Sequence, residues 1–164
     1  MTRRQCLIAG LTLPFWSGVS NSQPSQTLHF PRDLGSHPDF AIEWWYVTGR
    51  LQAAQREFGF QLTFFRSRVA ATQGMTSRFA AKQLIFAHAA VTDVAGKRLW
   101  HDQRIARASG AAQVDLASCS ESDTDVQLGS WSLKHSATTY LAQTIGQDFS
   151  FQLALTETQP LLLQ

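Results

Sequence analysis

Two neighbouring stretches of this chain alternate in side-chain character with a period of two, and that alternation restricts the fold more than any other feature. Along Glu43 to Leu51, the residues Glu43, Trp45, Val47, Gly49 and Leu51 share one face, and Trp44, Tyr46, Thr48 and Arg50 share the other. Successive side chains of a strand point to opposite faces, so this pattern predicts a half-buried strand rich in aromatic residues. Phe58 to Phe64 alternates in the same way after the polar bend Gln52 to Arg56, which predicts an antiparallel hairpin closed by Arg66 and Arg68. Gln83 to Thr92 and Arg98 to Arg107 read as a second pair joined by the turn Asp93 to Lys97. Ala71 to Arg78 and the serine-rich Ser109 to Ser122 read as loops. Four short strands follow, at Asp125 to Leu128, Ser130 to Lys134, Thr139 to Thr144 and Phe149 to Thr156. About eight short strands without a helical period predict an all-β chain, an antiparallel barrel or sandwich.

A chain of 164 residues is one domain of ordinary size, and 44% hydrophobic against 16% charged residues excludes a disordered or coiled-coil chain. With Arg3 and Arg4 set aside, twelve cations face twelve acids and no basic cluster remains, so nucleic acid is not an expected partner. Those two arginines precede the apolar run Leu7 to Val19 in the pattern of a twin-arginine export leader. Residues 1–22 are therefore expected to be an export signal, 23–29 a linker and 30–164 the folded domain, with a destination that is periplasmic or exported. Cys119 is then the lone thiol of the mature chain and has no disulfide partner. The tail ends on Leu161 to Leu163, which suggests a truncated chain or leucines that dock on a second β domain or a partner chain.

The densest chemistry lies in Phe30 to Tyr46, where His37 and three carboxylates fall within eleven residues beside the rings of Trp44, Trp45 and Tyr46. A carboxyl among rings has its charged form disfavoured, so Glu43 is a candidate uncharged acid, with Trp44, Trp45 and Tyr46 able to face a developing cation. On the residues alone, a structural ion pair of Glu43 with an arginine of the adjacent strand, such as Arg66, is the more expected reading. His88 sits mid-strand, and His101 and Asp102 lie on the next strand, within reach of it across an antiparallel pair. The histidine spacing matches no metal motif, and no phosphate loop, dinucleotide fingerprint or nucleophile elbow is present. Neither a metal nor a cofactor is expected.

Four motifs together resemble the AttH-like and hydroxyneurosporene synthase (carotenoid 1,2-hydratase) family. They are His37-Pro38-Asp39-Phe40 leading to Glu43-Trp44-Trp45-Tyr46, then Gly59 to Arg66, Phe86 to Asp93, and His101 to Arg107. The resemblance implies a lipocalin-like fold, here the first of two β domains. It also implies acid-catalysed addition of water to an isoprenoid double bond, through protonation of the alkene and capture of the tertiary cation. On that basis Glu43, Asp39 and His37 are the candidate catalytic residues. Trp44, Trp45, Tyr46, Phe64, Arg66, His88, His101 and Asp102 are the candidate ligand-binding residues.

Two functions are expected in competition. One is an exported binding protein that holds a lipid or isoprenoid in an aromatic-lined space, with association to a membrane surface. The other is a hydratase-like enzyme with Glu43 or Asp39 as proton donor.

Overall fold

The computed structural model describes residues 27–111 and 115–162. The expected export signal, most of the linker and Leu163 lie outside the described residues. Nine strands form two antiparallel sheets. The first sheet is built in chain order from β1 (Ile42–Ala53), β2 (Arg56–Arg68), β3 (Gln83–Asp93) and β4 (Arg98–Ala108). The second follows with β5 (Ala117–Cys119), β6 (Asp125–Leu128), β7 (Trp131–Ser136), β8 (Thr139–Ile145) and β9 (Ser150–Thr156). Every neighbour in each sheet is the next strand in the chain, because the connections are short turns that return the backbone antiparallel. Of the two expected all-β architectures the chain takes the sandwich, lipocalin-like but without barrel closure.

One prediction is corrected. Ser109 to Ser122 is not loop throughout, since Ala117–Cys119 pairs with Val126 to Leu128 as β5. Three residues are too few to show a period of two, and only the neighbouring strand makes them a strand.

The expected alternation of β1 holds along its whole length, with the Glu43, Trp45, Val47 face half-buried and the Trp44, Tyr46 face exposed. The hairpin turns are tight. Ala54 and Ala137, each the first residue of a two-residue turn, take positive φ values of 55° and 57°, a region L-residues enter at a cost. The β3–β4 turn is held from inside by Asp93, a buried carboxylate that accepts the Gly96 amide at 3.0 Å and pairs with Arg56. A Cβ on Gly96 would collide with that carboxylate, so any other residue there would have to displace Asp93 from the turn.

The core lies between the sheets. Leu62 and Phe64 of β2 and Ile85, Ala87 and Ala89 of β3 join Val126, Leu128, Trp131 and Leu133 in one buried cluster. Trp131 is its largest member and satisfies its indole N–H on the Ile145 carbonyl at 2.9 Å. The sheets lie together where β4 meets β5 and β6. They part along β1 and β9, where the inward residues Trp45, Val47, Phe151 and Leu153 pack on the core yet remain only partly buried.

Candidate functional site

At the start of β1 the chain gathers its charges. Glu43 stands opposite Arg66 in the β1–β2 register and points between the sheets. The Arg66 guanidinium, 1% exposed, uses all five of its N–H groups. Nε donates to Glu43 Oε2 at 2.6 Å, Nη1 to Gln83 Oε1 at 2.7 Å and Pro38 O at 3.3 Å, and Nη2 to the carbonyls of His37 at 2.8 Å and Phe40 at 2.9 Å. One side chain thus ties the segment before β1 to β2 and β3.

Glu43 is equally saturated. Its carboxylate accepts the His37 amide at 2.8 and 2.9 Å, the Ser36 hydroxyl at 3.2 Å and the His37 Nδ1 proton at 2.8 Å. The other ring nitrogen of His37, Nε2, lies 3.0 Å from Asp33 Oδ1. Burial pushes the Glu43 carboxyl upward, but the His37 amide, the Arg66 guanidinium and the His37 ring outweigh it and hold the group below its ordinary value. His37 moves the other way: the Asp33 hydrogen bond raises it, burial opposes, and Glu43 adds to the rise. Carboxylate oxygens only accept, so a ring with a carboxylate on each nitrogen is an imidazolium. The expectation of an uncharged Glu43 is therefore corrected: its hydrogen-bond donors favour the ionised form by more than burial disfavours it.

Beside this cluster runs a groove of about 690 Å³, at the side where the sheets part. Its apolar walls come from Trp45 and Val47 of β1 and from Leu133 and Tyr140 of the opposite sheet, while Trp44 and Tyr46 form an outer lip. Asp33, His37 and Glu43 line one part of it. Trp45 is fixed edge-on by donating its indole N–H to the Leu34 carbonyl at 3.0 Å, which also accepts from the Thr124 hydroxyl at 2.9 Å. The groove thus offers a long apolar surface beside a rigid, charge-balanced polar cluster.

A family model described as AttH-like matches residues 21–164. The chain belongs to the AttH-like family. The crystal structure of a protein from Nitrosomonas europaea, provisionally designated AttH, is 42% identical and superposes with a TM-score of 0.73. That match covers 86% of this chain and 41% of the other, so the chain spans about two-fifths of that structure's length. No curated protein matches it.

In this AttH-like chain the remaining candidate residues are scattered. Phe64 belongs to the packed core and is fully buried. Asp39 is exposed on the segment before β1 and takes no part in the hydrogen bonds around Glu43. His88 and His101 are exposed on the outward face of the first sheet, where His88 pairs with Gln103 and His101 with Ala90, while Asp102 points the other way. A separate depression of about 230 Å³ lies beside them. Among the described residues no three His, Cys, Asp or Glu side chains converge as a metal site.

A second space of about 740 Å³ lies on the far side of Arg66 and reaches Cys119. Burial pushes that thiol up to about 12, so it is protonated and unreactive at neutral pH. The groove at β1 is the better candidate because it joins an apolar wall to Asp33, His37 and Glu43.

Several contributors were not among the candidate site residues, Asp33 and Tyr140 among them. Asp33 carries a weak local signal, the four-residue spacing to His37 in a turn. Tyr140 carries none, because only the approach of the second sheet brings it to the groove.

Proposed function

We propose that this AttH-like chain is an exported protein that holds an elongated apolar molecule, a lipid or isoprenoid, in the groove between β1 and the second sheet. The observation that carries the reading is the groove itself. Its volume of about 690 Å³ falls within the usual range for small-molecule sites, and its walls are aromatic and aliphatic with polar groups confined to one cluster. Trp45 and Tyr140 offer flat, oriented surfaces to such a molecule, and the Asp33, His37, Glu43 cluster offers a charged group to its polar end. Export is supported by the paired arginines ahead of an apolar run.

The hydratase alternative draws on the family resemblance and asks for an uncharged carboxylic acid beside the alkene. Glu43 is a carboxylate with four hydrogen-bonding partners around it, which favours binding over proton donation from that residue.

The test is organic extraction of purified protein followed by mass spectrometry. A lipid-like molecule recovered in near-stoichiometric amount from independent preparations is expected. Repeated recovery of nothing apolar, together with no uptake of added fatty acid or acyclic carotenoid, would end the binding reading.

A further inference from the structure

At the end of the first sheet where β1 begins, the outward face is apolar where a solvated sheet face is normally polar. The register aligns Trp44, Phe65, Phe86 and Ile105 in one row across all four strands. Phe65 and Phe86 stack at 4.8 Å, and the flanks of the row stand in solvent, with Trp44 58% and Ile105 67% exposed. The adjacent rows add Ile42 with Leu84 on one side and Tyr46, 61% exposed, on the other. A contiguous exposed patch of this kind marks a contact surface.

Two arginines flank the patch. Exposed Phe79 carries the guanidinium of Arg78 at 4.9 Å and that of Arg107, from the β4 end of the sheet, at 5.4 Å. Neither arginine has a carboxylate within ion-pair distance among the described residues. Among the outward positions of β1 to β4 the only acid is Glu57, which is paired with Arg50 at the opposite end.

We propose that this face docks on the surface of an anionic phospholipid bilayer. Trp and Tyr favour the boundary between headgroup and acyl chain, exposed isoleucines add apolar area, and unpaired arginines favour anionic headgroups. A face without free carboxylates meets no repulsion there. Trp44 and Tyr46 also form the lip of the groove, so docking would set its mouth against lipid. The inference goes beyond the ligand reading, since the face can dock whether or not the groove is filled.

The test is co-sedimentation of the full chain with vesicles of phosphatidylcholine, with and without phosphatidylglycerol, and quenching of tryptophan fluorescence by brominated acyl chains. Preferential binding to the phosphatidylglycerol vesicles is expected, weakened about fivefold by each of Arg78→Gln and Arg107→Gln. Quenching should fall in Trp44→Phe. Gln103→Glu, at an exposed polar position, puts an acid on the face without touching the core and should also weaken binding. Circular dichroism establishes that each variant is folded. Binding that ignores lipid charge and all four substitutions would overturn the proposal, because the attachment would then lie elsewhere in the chain. So would absence of binding to the phosphatidylglycerol vesicles, and self-association that Trp44→Phe weakens would then assign the face to a second copy.

Discussion

Glu43 and Arg66 face each other across the β1–β2 ladder, Oε2 to Nε at 2.6 Å, and each is held by further hydrogen bonds until no polar atom of the guanidinium is left free. The pair converts the segment before β1 from a loose approach into the fixed floor of the groove. Removing Arg66 takes one cation and its Nε donor from the buried carboxylate, and removing both members lessens that loss.

Arg66→Met is accordingly expected to destabilise the protein by roughly 3–5 kcal/mol, read from the shift of the urea midpoint. Adding Glu43→Gln to that variant should recover part of the loss. A double variant no more stable than Arg66→Met would show that the pair does not act as a unit.

The same cluster sets a pH dependence. His37 is raised above the ordinary imidazole value of 6.5, by Asp33 first and by Glu43, against burial. Its contribution to stability is complete below the unfolded value and is lost as pH rises through the folded one. Glu43 and Asp33 are lowered from 4.5 and 3.8, so their contributions are present above those values and are lost as pH falls through the depressed ones. The thermal midpoint should peak between the carboxylate and imidazole ranges. In His37→Gln the decline on the alkaline side should vanish, and its persistence would assign that decline to another group.

Ala137 takes a left-handed φ of 57° at the β7–β8 turn. Glycine adopts that region without the Cβ conflict but loses more chain entropy on folding. Ala137→Gly should therefore stabilise the protein by about 0.5–1 kcal/mol, measured by chemical denaturation.

Cys119 is protonated at neutral pH because burial pushes it to about 12. Its reaction with an aromatic disulfide reagent should be slow in the native protein and become fast in denaturant, in step with loss of the circular dichroism signal.

Val47 lies on the groove wall and is only partly buried. Val47→Phe fills space there while keeping the wall apolar, so the apolar molecule recovered per protein should fall severalfold with little change in thermal midpoint. Undiminished recovery would move the ligand out of this groove.

What the chain encodes locally could be read from it directly. A period of two needs only neighbouring residues, so both hairpins, the inward face of β1 and the opposition of Glu43 to an arginine of the adjacent strand were legible, as were the motifs of the family. β5 was not, because three residues become a strand only when β6 lies beside them. Nor was the separation of His88 and His101 from the groove, since both strands were recognisable but which side of their sheet would be covered was not.

Tyr140 and Leu133 reach the groove from a second sheet whose approach no local pattern encodes. The charge of Glu43 also waited on the tertiary structure. Burial alone would raise that carboxyl, and it is held below its ordinary value because donors from Ser36, His37 and Arg66 converge on it from separate segments. Strand and register follow from forces between near neighbours along the chain, whereas protonation follows from the sum of every dipole and charge that folding brings within reach.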